Sequence, residues 1–223
     1  MKKSFLVSVF AFFLLVSCID EDSFPQIETI TEGKKWTLEM GSSPSEVYTQ
    51  LQEFNLEKNF NTVAIAYRQP YSSPEEIKSD ISLYNSISLQ TTSGVLERVL
   101  ISFDQDKVSA IEKGGGLLDP IQYWPENQPN DISIHVDDPL EIIQQKLIAI
   151  YQISTYQEYQ IILPDKLLAK SYDPEMKNYE EWLFVFSESI SSLREGRTYV
   201  RLYFKNEKLV KIRTEYEEFD FVI

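Results

Sequence analysis

Two stretches of the chain place apolar residues at helical spacing, and both begin with the sequence of a helix start. The first helix is predicted over residues 44–54, where Val47, Leu51 and Phe54 share one face, and the second over residues 139–150, with a wider apolar stripe. Each starts with a capping residue, a proline and, three residues after the cap, a glutamate. We therefore expect two amphipathic helices that each bury one face.

Shorter runs alternate between apolar and polar residues with the period of two that is typical of a strand. The alternation is clearest over residues 199–204 and 209–213, where it indicates a sheet with one face in water. Such runs predict strands over residues 36–40, 62–68, 81–90, 95–103, 107–111, 132–136, 159–163, 182–187, 197–204 and 208–215.

The order of these elements indicates an internal duplication. Residues 43–47 align with 138–142, residues 73–75 with 173–175, and residues 99–103 with 200–204, in the same order along both halves. Two unrelated segments can also share a capped helix and a terminal hairpin, and that alternative stays open. The duplication predicts an α+β fold of two tandem repeats, each a helix packed on an antiparallel sheet of about four strands.

The beginning of the chain has the features of a secretory signal peptide. Two lysines precede an apolar run over residues 5–16 that is too short to span a bilayer comfortably, because about 20 apolar residues are needed. The run ends in Leu15-Val16-Ser17-Cys18, which resembles the lipobox of bacterial lipoproteins. The resemblance implies cleavage before Cys18, a diacylglycerol on its thiol and an acyl chain on its new amino group. The alternative is an ordinary signal peptide with Cys18 beside the cut by chance.

The residues after Cys18 extend this prediction. Asp20, Glu21 and Asp22 resemble the acidic export tag that sends some Gram-negative lipoproteins to the outer leaflet of the outer membrane. A solvated acidic tether explains the same three residues equally well. We therefore expect a lipid-anchored protein of the outer membrane, either at the cell surface or facing the periplasm.

The predicted organisation has five parts. They are a signal peptide over residues 1–17, a lipidated Cys18 with a flexible acidic tether over 18–32, a first α+β repeat over 33–113, a Gly/Pro linker over 114–130, and a second α+β repeat over 131–223.

Charge and composition exclude several classes of function. The chain has 35 acidic and 21 basic residues, a formal charge of −14, so phosphate backbones repel it and a nucleic-acid partner is not expected. With one cysteine and one histidine, it has neither a disulfide framework nor the ligands of the usual zinc and iron sites. The single histidine, His135, lies in a predicted strand and is interpreted as a strand-face residue. We expect no cofactor and no metal.

Motifs for catalysis are not recognisable in the chain. Gly114-Gly115-Gly116 lacks the Lys-Ser/Thr that follows a phosphate-binding loop, so it is interpreted as linker. Asp131, Asp137 and Asp138 lack the spacing of a calcium loop, and Asp138 is predicted to cap the second helix instead. A hydrolase with an unmarked carboxylate pair stays open as the less favoured alternative.

Tyr123 and Trp124 are the candidate binding residues, because they lie in the predicted linker, where burial in a core is not automatic. The alternative is that they fill the crease between the repeats. The predicted architecture is similar to the beta-lactamase-inhibitor-protein-like and PepSY-like envelope folds, which implies that a sheet face or the inter-domain crease binds another protein. The predicted function is a non-enzymatic, lipid-anchored protein-interaction module. Glycan or small-ligand binding is the alternative.

Overall fold

The computed structural model describes residues 24–77 and 81–220, which form two antiparallel sheets that each carry one helix. Helix α1 spans Pro44–Lys58 and helix α2 spans Leu140–Tyr151. The larger sheet contains, in spatial order, β1 (Gln26–Ile30), β15 (Lys208–Asp220), β14 (Arg194–Lys205), β13 (Glu181–Ser191), β4 (Thr62–Ile65) and β12 (Lys166–Leu167). The smaller sheet contains β11 (Tyr159–Ile162), β5 (Ser86–Thr91), β6 (Arg98–Asp104), β7 (Lys107–Gly114) and β8 (Asp119–Ile121). Two short hairpins pair β2 (Lys34–Lys35) with β3 (Leu38–Glu39) and β9 (Tyr123–Trp124) with β10 (Ile134–His135).

Helix α1 begins as its sequence predicts. The Ser43 backbone N–H donates to the Glu46 carboxylate at 2.7 Å, and the Glu46 N–H donates to the Ser43 hydroxyl at 3.4 Å. These reciprocal bonds are a capping box, and Pro44 occupies the first turn. The helix ends at Asn59, whose φ of 53° is left-handed, as is common just past a helix end.

Helix α2 begins where its sequence predicts, but the predicted cap is wrong. The N-cap residue is Pro139, and no side chain caps the helix. The Asp138 carboxylate accepts hydrogen bonds from the His135 backbone N–H at 2.7 Å and from Lys146 Nζ at 2.8 Å. Asp138 therefore links the chain before the helix to Lys146 in the second turn of α2. It does not accept from the backbone N–H groups of the first turn, as a cap would.

The prediction of two tandem repeats, each with its own helix on its own sheet, is wrong. Val47 and Leu51 of α1 share a core with Trp182 and Leu202, which belong to the second half of the chain. In the same way α2 shares its core with β6, from the first half. The two sheets have six and five strands rather than about four, and the fold is mostly β, with 44% strand and 21% helix when the four short 3₁₀ helices of the described residues are included. It is α+β only in a loose sense.

A crossover of two antiparallel segments joins the two sheets. Val63 pairs with Lys166 in the larger sheet, and further along the same two segments Tyr71 exchanges backbone hydrogen bonds of 2.9 and 2.8 Å with Ile161. The chain leaves the larger sheet through one segment and returns to it through the other. The smaller sheet and α2 are therefore inserted between β4 and β12.

Part of the segment predicted as a Gly/Pro linker, residues 114–130, forms β8, the edge strand of the smaller sheet. The segment contains the end of β7, all of β8 and all of β9. A Cβ atom added at Gly114 would lie 1.9 Å from the Leu117 carbonyl oxygen, so the turn at this point requires glycine. The glycine run thus allows a tight turn within a sheet.

Candidate interaction site

The face of the larger sheet that points away from α1 carries side chains that reach solvent. Strand alternation places Trp182 and Phe184 in the core and Leu183 and Val185 on the opposite side. Cross-strand pairing extends this surface over β13, β14 and β15. We call it the outer face and define it by Glu181, Leu183, Val185, Glu195, Arg197, Tyr199, Arg201, Tyr203, Lys211, Arg213, Glu215 and Glu217.

The outer face is balanced in charge although the chain is strongly acidic. Its four basic side chains match its four acidic ones, whereas the whole chain has a net charge of −14. Long-range repulsion between this surface and an acidic molecule is therefore weaker than over the protein as a whole. Tyrosine and arginine, two residue types enriched at protein interfaces, provide five of its twelve residues.

Two arginines stand at the centre of the outer face. Arg201 and Arg213 lie directly opposite each other on β14 and β15, with 44% and 32% of their side chains exposed. Arg201 donates to Glu181 at 2.7 Å, a bond that raises the pKa of the guanidinium, and Arg213 donates to Glu215 at 3.0 Å. Like charges directly opposite in a sheet are destabilising, and these two acids offset part of that repulsion.

A shallow depression of about 220 Å³ lies at this arginine pair. Its lining consists of Tyr199, Arg201, Arg213, Glu215 and Glu217. The exposed edge of each guanidinium can donate to a carboxylate in fork geometry, and the Tyr199 ring offers an apolar surface beside it. This combination suits an acidic, partly aromatic or apolar segment of another protein.

The structure separates the two candidate binding residues named from the sequence. Trp124 is 1% exposed and packs in the core of the smaller sheet against Tyr156 and Tyr159. Tyr123 is 41% exposed, and its ring stacks on the ring of His135 at 5.2 Å between centroids. Only Tyr123 of this pair therefore offers its side chain to a partner.

A buried polar cluster lies at the crossover between the sheets. Asp173 has no exposed surface, and its carboxylate accepts hydrogen bonds from Arg68 at 3.2 Å and from the Tyr84 hydroxyl. Arg68 also donates to the Tyr84 hydroxyl at 2.7 Å. Since Arg68 follows β4, Tyr84 precedes β5 and Asp173 follows β12, the cluster ties the two sheets together.

Lys166 belongs to the same enclosed region. It has no exposed surface, donates to the Leu83 carbonyl oxygen at 2.6 Å, and lies over the rings of Tyr48 and Tyr84. Burial lowers the pKa of Lys166 to about 8, and the nearby Asp173 charge opposes that shift. Burial also raises the pKa of Tyr84. Because Asp173 and Lys166 are shielded from solvent, we assign this group to the fold rather than to binding.

Among the residues that the structure describes, no group of three or more His, Cys, Asp and Glu residues is arranged to hold a metal ion. His135 lies in β10, as its interpretation as a strand-face residue predicts. Within residues 24–77 and 81–220, no helix is both long and apolar enough to cross a bilayer. Cys18 and the signal peptide lie outside the described residues, so cleavage and lipidation at Cys18 stay predictions from the sequence.

No protein-family model matches the chain, and no curated protein or solved structure matches it. The function is therefore inferred from the residues and their geometry.

Sequence reasoning did not single out the outer face, although it predicted that this sheet has one face in water. The available signal was the repetition of Tyr199, Arg201 and Tyr203 on the wet side of one strand. What the sequence did not show is that Arg213 lies directly opposite Arg201, because register depends on the hairpin between the strands.

Proposed function

We propose that the protein is a non-enzymatic lipoprotein of the bacterial outer membrane whose outer face binds another envelope protein. The observation that carries the binding proposal is the pair of half-exposed arginines, Arg201 and Arg213, beside Tyr199 at the centre of an open sheet face. The anchor proposal rests on the lipobox sequence that ends at Cys18.

The expected partner presents carboxylate side chains at its centre. A carboxylate placed between Arg201 and Arg213 would form charge-assisted hydrogen bonds and reduce the repulsion between the two guanidinium groups. Tyr199 and Val185 beside them are 37% and 42% exposed, so a partner can bury apolar area in the same contact. This arrangement has the character of an interface centre in which arginine and tyrosine contribute most of the binding energy.

The anchor is tested by labelling growing cells with a fatty acid. The wild-type protein should incorporate the label and stay with the membrane fraction, whereas Cys18→Ser should incorporate none and accumulate as uncut precursor. Equal labelling of the two proteins would contradict the anchor proposal.

The binding surface is tested by photo-cross-linking in intact cells. A photoreactive phenylalanine derivative replaces Tyr199 in one variant and Tyr123 in another, because both tyrosines are exposed to similar extents, 37% and 41%. We expect one discrete cross-linked protein from position 199 and none from position 123. A cross-link from position 123 alone would move the binding site to the smaller sheet, and no cross-link from either would contradict protein binding.

Glycan or small-ligand binding is the second candidate, and the exposed Tyr123 ring favours it. The ring stacks on His135 and is 41% exposed, and an exposed aromatic ring is a surface on which a sugar ring can lie. A glycan array probed with wild-type protein and with Tyr123→Ala tests it. Binding that the substitution abolishes would support this candidate, and no binding by the wild type would contradict it.

A further inference from the structure

The hairpin between β13 and β14 extends beyond the core of the larger sheet. In β13, Phe186 is the last buried residue, and Ser187–Ser191 are exposed. We call residues 187–196 and 217–220 the arm. Its apolar side chains are exposed: Ile190 is 46% exposed, Leu193 at the turn 49% and Phe219 39%.

The described chain begins at the base of this arm. The ring of Phe24 packs against Tyr216 at 5.8 Å between centroids, and the Tyr216 side chain covers Gly196 on the neighbouring strand. From Tyr216, β15 continues outward to Asp220 along the arm. From Gly196, β14 runs back three residues to the turn at Leu193, a distance of roughly 10 Å at about 3.3 Å per residue.

Cys18 lies six residues before Phe24. Since an extended chain spans at most about 3.6 Å per residue, six residues reach no further than roughly 20–25 Å from Phe24. A lipid on Cys18 would therefore keep the base of the arm within that distance of the bilayer.

We propose that the tip of the arm, Ile190 and Leu193, contacts the lipid bilayer to which Cys18 is anchored. This inference rests on the proposed lipid anchor. Several charges of the arm contact opposite charges: Arg194 contacts Glu218 at 2.8 Å and Asp220 at 3.5 Å, and Lys58 binds Glu188. Pairing lowers the cost of bringing these groups to the membrane surface. The acidic tether disfavours anionic lipid, so the expected surface is zwitterionic.

The contact is tested with a polarity-sensitive fluorophore on the lipidated protein in phosphatidylcholine vesicles. Leu193→Cys provides the labelling site, because Cys18 is the chain's one natural cysteine and its thiol is blocked by lipid in the proposed anchor. Leu117→Cys is the matched control, since Leu117 is a 90% exposed leucine in a loop of the smaller sheet. The label at position 193 should emit at shorter wavelength and lose most of its intensity when the vesicles contain a quencher on the acyl chain, whereas the label at 117 should not respond.

Mass spectrometry of the N-terminal peptide makes the outcomes distinguishable. If Cys18 carries lipid and position 193 is quenched selectively, the contact is supported. If Cys18 carries lipid and position 193 is quenched no more than position 117, the contact is wrong and the anchor stands. If Cys18 carries no lipid, the anchor is wrong and the inference fails with it.

Discussion

The backbone N–H of Gly41 donates a 2.8 Å hydrogen bond to the carbonyl oxygen of Leu209, so the residues before α1 are attached to the last strand of the chain. The Leu209 N–H returns a 2.9 Å bond to Ser42. An equivalent pair of bonds, 2.8 and 2.9 Å long, joins Val108 to the residues before α2. Each helix is thus held at its start by a strand from the other half, and the two halves are interleaved.

Interleaving predicts that the two halves stay together when the chain is cut between them. A protease site inserted between Gly116 and Leu117, in an exposed turn, allows cleavage of the folded protein. The two fragments should elute as one complex under native conditions, because each contains the helix that the other sheet needs. Each fragment expressed alone should remain unfolded. Two fragments that separate and keep their circular dichroism would contradict the described fold.

The core of the larger sheet depends on one phenylalanine of α1. Phe54 is fully buried and contacts the rings of Trp36, Phe60 and Phe186. We expect Phe54→Ala to lower the free energy of unfolding by about 3–5 kcal/mol, because it removes these contacts and leaves a cavity. The control is Leu56→Ala two residues later, where the side chain is 86% exposed and about 0.5 kcal/mol or less is expected. Denaturant titration measures both, and equal losses would contradict the assignment of α1 to this core.

Removing the charge of the buried Asp173 should lower the free energy of unfolding more than removing the charge of an exposed carboxylate. Asp173→Asn leaves the buried Arg68 guanidinium without its opposite charge, so we expect the free energy of unfolding to fall by roughly 3 kcal/mol. Glu207→Gln removes one partner of an exposed 3.6 Å ion pair with Lys177 and should change the free energy of unfolding little. Urea unfolding curves of the three proteins test this, and an Asp173→Asn curve that overlays the wild type would refute the role of the cluster.

Stability should depend on pH through Lys166. The folded protein holds the pKa of Lys166 at about 8, while an unfolded lysine has 10.5, so between these values the unfolded chain binds more protons. The free energy of unfolding should therefore rise with pH, by about 1.5 kcal/mol from pH 8 to 9.5. Above about pH 10 the unfolded chain also ionises tyrosines that burial keeps protonated in the fold, Tyr48 and Tyr84 among them, which favours unfolding.

Lys166→Met is the comparison that isolates this effect, because methionine retains most of the side-chain length without the charge. The rise between pH 8 and 9.5 should be present in the wild type and absent from the variant. A rise of the same size in both proteins would show that other groups cause it.

Most elements of the fold were predictable from local sequence. The capping box at Ser43 and the alternation in residues 199–204 specify their own local structure, because capping and strand periodicity involve only neighbouring residues. The turns of the β6–β7 and β14–β15 hairpins are also local features: their central residues, Gln105–Asp106 and Asn206–Glu207, have positive φ as tight hairpin turns require.

The partner of each helix was not predictable in this way. The apolar face of Val47 and Leu51 suits any sheet with an apolar side, and its pattern does not specify which of two similar sheets it covers. The same limit of local sequence applies to the candidate binding residues Tyr123 and Trp124. Trp124 was placed in a linker because glycines and prolines surround it, and only the pairing of β9 with β10 shows that it enters the core.

The binding role of the outer face is tested most directly by removing its two central charges. Arg201→Gln and Arg213→Gln are combined in one chain that carries the photoreactive residue at position 199, and Arg201→Lys with Arg213→Lys provides the charge-preserving control. Both arginines are partly exposed, so the thermal unfolding midpoints should stay close to that of the parent. We predict that the glutamine pair lowers the cross-linking yield about tenfold or more, since interface arginines commonly contribute over 1 kcal/mol each, and that the lysine pair retains part of the yield. An unchanged yield from the glutamine variant would contradict the proposal that this face binds the partner.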